Sequence, residues 1–297
     1  MSDDDQAPAG FRRSPTALLT LGVATLVLVV VVVLVVLKLT GSSTTPPPSS
    51  GPPPQAVPAA VAQQVTGIPA AVYDAVGVSS PTVPVIRPRA LSGQPALTAG
   101  GRPEVVYIGS EFCAYCAAER WVVVAALSRF GTVSDLGTMQ SSSNDIFSDI
   151  QTFTFATVRY RSRYVTFVAR ERYSDQQNAD GTAYAALQPL DRTETALFDR
   201  YDTPARTGQP GRVLPFVDVA NRYVSAGGAF SPSILSGLSR NEIAAGLTDP
   251  KDPVTQAVVA AANELAADIC AVDGERPVKV CTSRGVAAAG GASLPLP

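Results

Sequence analysis

Apolar and polar positions divide the chain into unlike parts. Residues 14–37 contain no charged side chain, and at about 1.5 Å per helical residue such a run reaches roughly 36 Å, enough to cross a hydrocarbon core of about 30 Å. A single transmembrane helix is therefore expected over 14–39, after a short tail over 1–13. Valine is a mediocre helix former in water, but in lipid every backbone polar group must pair within the segment, which overrides that preference. Residues 42–58 read SSTTPPPSSGPPPQAVP, too rich in proline to pack and suited to a stiff spacer, so 40–58 is taken as a linker. A folded domain is expected over 59–284 and a loose tail over 285–297.

Within that domain the periodicity changes repeatedly. Residues 59–76 carry apolar positions at helical spacing, broken at Gly67-Ile68-Pro69 into two short helices. Residues 78–101 read as irregular chain punctuated by proline. A short buried strand is expected over 104–108 and a helix over 116–130, closed by Gly131. The alternating, Thr- and aromatic-rich stretches 152–155 and 164–168 are read as strands paired in a hairpin. Asp191 and Glu194 have the spacing of a capping box for a helix over 191–201. A second hairpin is expected from 216–219 and 223–226 around Ala220-Asn221-Arg222, followed by helices over 239–247 and 254–269. There is no internal repeat of 20 to 50 residues.

Composition narrows the chemistry. The 297 residues include no histidine, which removes Ser-His-Asp and Cys-His catalysis and every imidazole metal site. A formal charge of -2, without runs of Lys and Arg among aromatics, gives no reason to expect nucleic acid. Arg12 and Arg13 precede the apolar span and Lys38 alone follows it, which by the positive-inside rule puts the N-terminus inside and the C-terminal bulk outside the cytoplasmic membrane. A cleaved signal peptide is the competing reading, but Lys38-Leu39-Thr40 offers no small-residue cleavage site. Four cysteines, at 113, 116, 270 and 281, suit an oxidising compartment.

Cys113 and Cys116 stand between the expected strand and the expected helix. At a helix opening, Cys113 would meet unpaired N–H groups and the positive end of the macrodipole, both of which favour a thiolate. Cys116, one turn further in, has the position of a resolving thiol. A zinc clamp would have to recruit Cys270 and Cys281, whose spacing is unlike a zinc knuckle, and a purely structural pair is the blander alternative. Leu214-Pro215-Phe216-Val217-Asp218-Val219, an X-Pro at the mouth of an apolar strand, suits the cis-proline loop that faces such a dithiol and pairs with substrate backbone; a proline that only begins a strand competes with it.

The run over 104–130, with Phe112-Cys113-Ala114-Tyr115-Cys116-Ala117-Ala118-Glu119-Arg120-Trp121, resembles the thioredoxin superfamily. It is most similar to a membrane-anchored family catalogued as domain of unknown function 929, through Met139-Gln140-Ser141-Ser142-Ser143, Leu214-Pro215-Phe216-Val217-Asp218 and Tyr223-Val224-Ser225-Ala226-Gly227, so that the likeness covers most of 59–281. The resemblance implies an α/β fold: a thioredoxin-like sandwich with an inserted β-rich segment, preceded by the single transmembrane helix. Phe112 stands where thioredoxin carries tryptophan, and Ala114-Tyr115 replaces Gly-Pro. About 98 residues separate Cys116 from Pro215, which implies an insertion over about 137–206, read as a lid or docking face.

On this reading Cys113 and Cys116 are catalytic, and Phe112, Tyr115, Leu214 and Pro215 form the substrate groove. Glu111 and Glu119 are candidate proton acceptors for the buried thiol, with surface solvation as the ordinary alternative, and Trp121 packs the core edge. Arg120 is assigned to a different helix face from Cys116 and given no role. Cys270 and Cys281 are expected to form a structural disulfide, a redox shuttle being the sharper alternative. The expected function is membrane-tethered, extracytoplasmic thiol-disulfide exchange with exported or envelope proteins bearing thiols or disulfides, leaning toward oxidation or isomerisation. A membrane redox partner is a further candidate, and no cofactor or metal is expected. The competing class is a non-catalytic envelope interaction or assembly module with a fixed disulfide.

Overall fold

The computed structural model describes residues 54–78, 83–204, 212–290 and 294–295. The span expected over 14–39 lies outside the described residues, and among those described no helix is long and apolar enough to cross a membrane. The chain runs through α1 (Ala59–Thr66), α2 (Ala70–Val76), β1 (Arg89–Ala90), β2 (Thr98–Ala99), β3 (Arg102–Gly109), α3 (Ala114–Leu127), β4 (Gly131–Ser134), β5 (Gly137–Gln140), β6 (Gln151–Thr154), β7 (Arg159–Ser162), β8 (Thr166–Glu171), β9 (Tyr173–Gln177), β10 (Tyr184–Ala186), α4 (Arg192–Tyr201), β11 (Phe216–Val219), β12 (Tyr223–Ala226), α5 (Arg240–Gly246), α6 (Pro253–Asp273), α7 (Val278–Cys281), α8 (Arg284–Ala289) and β13 (Leu294–Pro295).

Strand β3 reads Val105-Val106-Tyr107-Ile108, apolar on both faces, as a strand covered on both sides must be. It sits inside a mixed sheet ordered β13-β1-β12-β11-β3-β2, and β8 runs parallel to it from Glu104↔Thr166 to Gly109↔Glu171. Because side chains alternate along a strand, Val105 and Tyr107 join Val217 and Val219 in one core with α3 and α6. Val106 and Ile108 point the other way, to Phe216, Val224 and the α4 side chains Leu197, Phe198 and Tyr201. Helices thus cover both faces of a mixed α/β sheet. Trp121 is buried in the larger core, its ring 4.4 Å from Phe153 and its indole N–H donating to the Gln151 carbonyl at 3.0 Å.

Several sequence expectations hold. The Gly67-Ile68-Pro69 break separates α1 from α2, and β11 and β12 form the expected hairpin. Helix α4 opens on a complete capping box, with the Glu194 N–H on Asp191 and the Asp191 N–H on Glu194, both at 2.8 Å. Cys270 and Cys281 are disulfide-bonded with Cα atoms 5.6 Å apart. In the chain-entropy model a loop this short contributes roughly 2–3 kcal/mol. Helix α6 continues past Ile269 to Asp273, ending on Gly274 in the left-handed region, so Cys270 lies inside its last turn.

Four expectations are corrected. The stretches 152–155 and 164–168 do not form a hairpin: β6 pairs with β5, and β8 joins the central sheet. Alternation fixes which face of a strand is apolar but carries no information about its partner. A strand of the central sheet therefore lies within 137–206, and that segment is not a separable insertion. Residues 285–290, expected to open a loose tail, are instead packed, for α8 buries Val286 and Ala289, and β13 pairs with β1. Gly285 makes the docking of α8 feasible, since a Cβ there would fall 2.5 Å from the Tyr73 carbonyl oxygen. Finally, the folded body begins before residue 59: the Val57 N–H donates to Leu136 and the Thr138 N–H to Gln55, at 3.0 and 2.7 Å.

Candidate functional site

Strand β3 ends at Gly109, and Ser110-Glu111-Phe112 turns the chain into α3. Cys113 is the N-cap of that helix, with extended backbone at φ -79°, ψ 124°. Its sulfur accepts the Cys116 N–H at 3.3 Å, as a serine or aspartate oxygen would at the same position. Its thiol points to the carbonyl of Leu214 at 3.8 Å, and the Leu214–Pro215 peptide is cis. The Gly227 N–H donates to the Pro215 carbonyl at 2.9 Å, which holds that loop at the mouth of the β11–β12 hairpin. Gly228 follows at φ +80°, where a Cβ would stand 3.1 Å from Tyr115 Cδ1; only glycine combines that backbone angle with so close an approach.

The two thiols are free and differ in surroundings: Cys113 is half-buried, Cys116 fully buried. The hydrogen bond from the Cys116 side chain lowers the Cys113 thiol below its ordinary range, helped by the Cys116 backbone N–H and by Arg120, against burial and the Asp145 carboxylate. Burial, then Cys113 itself, pushes Cys116 well up. The same neighbourhood thus makes one thiol more acidic than usual and the other less.

Around Cys113 lie the other expected groove residues. Phe112 stacks on Tyr184 at 4.0 Å with the planes 7° apart, and Tyr115 meets Phe147 edge-on at 6.0 Å. Ile146, 85% exposed, sits next to Phe147 in the β5–β6 loop. That loop also places the Asp145 carboxylate on the Ala114 N–H at 3.0 Å. Tyr184, Phe147 and Asp145 were not found by sequence reasoning; their distance along the chain left no local signal.

Arg120 requires correction. Cys116 and Arg120 are four residues apart and share a helix face. Arg120 is fully buried, donates to both oxygens of Glu171 at 2.8 and 2.7 Å and to the Ser110 carbonyl at 2.8 Å, and acts on both sulfurs. Glu111 and Glu119 are not solvated at the surface. Glu111 takes the Thr154 hydroxyl at 2.5 Å and Glu119 the Ala229 N–H at 2.8 Å, and neither bonds a sulfur. The Cys270–Cys281 bond ties α6 to α7.

Burial raises four carboxyls, Glu111, Glu119, Asp218 and Glu264, to about 7. Each holds its proton more tightly in the folded than in the unfolded chain. Their contribution to stability is complete below the ordinary carboxylate range and is lost as pH rises through about 7. The urea midpoint is expected to be higher at about pH 5 than at about pH 8; a midpoint that climbs across this interval contradicts the assignment.

Comparison with curated proteins gives no match, and neither does comparison with solved structures. The model of a family described as Domain of unknown function (DUF929) matches residues 90–271, more than half of the chain, and the chain belongs to that family.

Proposed function

We propose that the protein is a thiol-disulfide oxidoreductase of thioredoxin-like design, tethered to the outer face of the cytoplasmic membrane and acting on exported or envelope proteins. The observation that carries this reading is the asymmetry of the dithiol: Cys113 half-buried at a helix N-cap and made more acidic, Cys116 sealed beneath it. The Leu214 carbonyl at the sulfur supports it as well, because that loop offers backbone to a bound strand beside the reacting atom.

In the reducing direction the Cys113 thiolate attacks one sulfur of a substrate disulfide. A bond forms between Cys113 and that sulfur, and the second substrate sulfur leaves as a thiolate that takes a proton from water. Cys116 then gives its proton to water and attacks the Cys113 sulfur, and the Cys113–substrate bond breaks to release the first substrate sulfur as a thiolate that takes a proton from water in turn. The enzyme pair ends as a disulfide and the substrate as two thiols; the same steps reversed oxidise a substrate dithiol. The reading leans toward oxidation or isomerisation, since the expected span contains no cysteine through which electrons could pass.

Trapping tests it. With Cys116→Ser in the full chain, incubation with a disulfide-bearing unfolded polypeptide and acid quench is expected to accumulate a mixed disulfide at Cys113, detected by mass. Absence of that adduct, with wild-type protein that neither reduces nor oxidises model substrates, overturns the proposal and leaves a binding module with an inert pair.

A further inference from the structure

The β5–β6 loop enters the opening of α3 at a point where a reactive sulfur would ordinarily have the helix end to itself. The first-turn N–H groups of α3 are divided: Cys116 N–H goes to the Cys113 sulfur and Ala114 N–H to Asp145 Oδ2. The carboxylate is firmly held. Its Oδ1 takes the Phe147 N–H at 3.4 Å, the Asp145 N–H bonds the Ser142 carbonyl at 3.2 Å, and the Ser142 N–H bonds the Phe112 carbonyl at 2.8 Å, one residue before Cys113.

We infer that Asp145 is a positioning residue that restrains Cys113, by occupying a helix-end N–H and setting a fixed negative charge at the same end of α3. This rests on the dithiol being an exchange centre. The charged and titratable groups facing Cys113 are Cys116 and Arg120 from α3, Tyr107 from β3 and Asp145 from the loop, with Glu171 of β8 acting on Cys116. Arg120 favours the thiolate and Asp145 opposes it. Arg120 and Asp145 thereby bias the thiolate fraction in opposite senses, beside the larger effects of the Cys116 hydrogen bond and of burial, and so bear on how oxidising the pair is. A thiolate stabilised in the reduced form makes the disulfide a stronger oxidant.

The test uses full-length protein in detergent, with Asp145→Asn, Asp145→Ala and Asp145→Glu. The pH dependence of Cys113 alkylation and the equilibrium with glutathione are both measured. Asparagine keeps an oxygen for the Ala114 N–H but removes the charge. Asp145→Asn is expected to raise the Cys113 thiolate fraction at ~pH 6 about 5-fold and to shift the glutathione equilibrium toward the reduced pair. Alanine should act in the same direction, and glutamate should return toward wild type. If Asp145→Asn coincides with wild type and only alanine differs, Asp145 is a helix cap and the inference falls. A wild-type pair that never equilibrates with glutathione overturns the exchange reading instead, while the alkylation profiles still decide the role of Asp145.

Discussion

Glu171→Ala is expected to destabilise the fold by roughly 3–5 kcal/mol, measured as the loss of unfolding free energy in urea. Both members of the Arg120–Glu171 pair have fully buried side chains, and the contact is bidentate. Removing the carboxylate leaves a guanidinium without its counter-charge in a site that water does not reach, and that residual charge, more than the lost attraction, sets the size of the effect. Glu171 also accepts the Phe155 N–H at 3.2 Å, so the same change orphans a second donor. The exposed pair Arg159–Asp135, with side chains 73% and 54% accessible, provides the internal comparison; Asp135→Ala should change stability by no more than about 1 kcal/mol. Equal effects at the two sites would refute the assignment. Replacing Arg120 and Glu171 together by apolar side chains of similar volume should recover much of the loss, because no unpaired charge then remains.

Alkylation of the reduced protein by a small haloacetamide at neutral pH should modify Cys113 at least ~100-fold faster than Cys116. Two effects act in the same direction. Cys113 is only half-buried and is shifted toward thiolate by the Cys116 hydrogen bond, the backbone N–H and Arg120, whereas Cys116 is fully buried with its thiol pushed well up. The pH profile distinguishes them from simple accessibility: the Cys113 rate should level off at a lower pH than that of an unperturbed cysteine, for which the midpoint is about 8.5. Comparable rates for the two sulfurs, resolved by peptide mass mapping, would remove the division into attacking and resolving thiol.

What could be read from the chain in advance was largely what is encoded within a few residues. The Asp191–Glu194 box, the Gly67-Ile68-Pro69 break, the strand-cysteine-helix order and the Leu214-Pro215 entry to a hairpin all have a local cause, and all stand where expected. Partners distant in sequence were not legible. Strand β8 looked like half of a hairpin because its alternation marks a face and leaves its neighbour unspecified. Asp145 sits in a serine-rich loop with nothing to distinguish it from a solvated aspartate until that loop meets the Ala114 N–H. Arg120 was within reach: a charged residue four positions after a buried cysteine shares its face, and a helix surrounded by alanine and valine offers it no exit to water. Glu119 is buried on the same helix for the same reason.

The stitch between residues 55–57 and strand β5 has a mechanical meaning. A Cβ on Gly137 would collide with Pro54 and with Thr154, so glycine there lets the incoming chain lie flat against the strand. The loop that leaves β5 is the one that carries Asp145 to the Ala114 N–H, beside Cys113. A disturbance of the contact between residues 55–57 and β5 should therefore be felt in the loop that follows the strand and holds Asp145 on the Ala114 N–H.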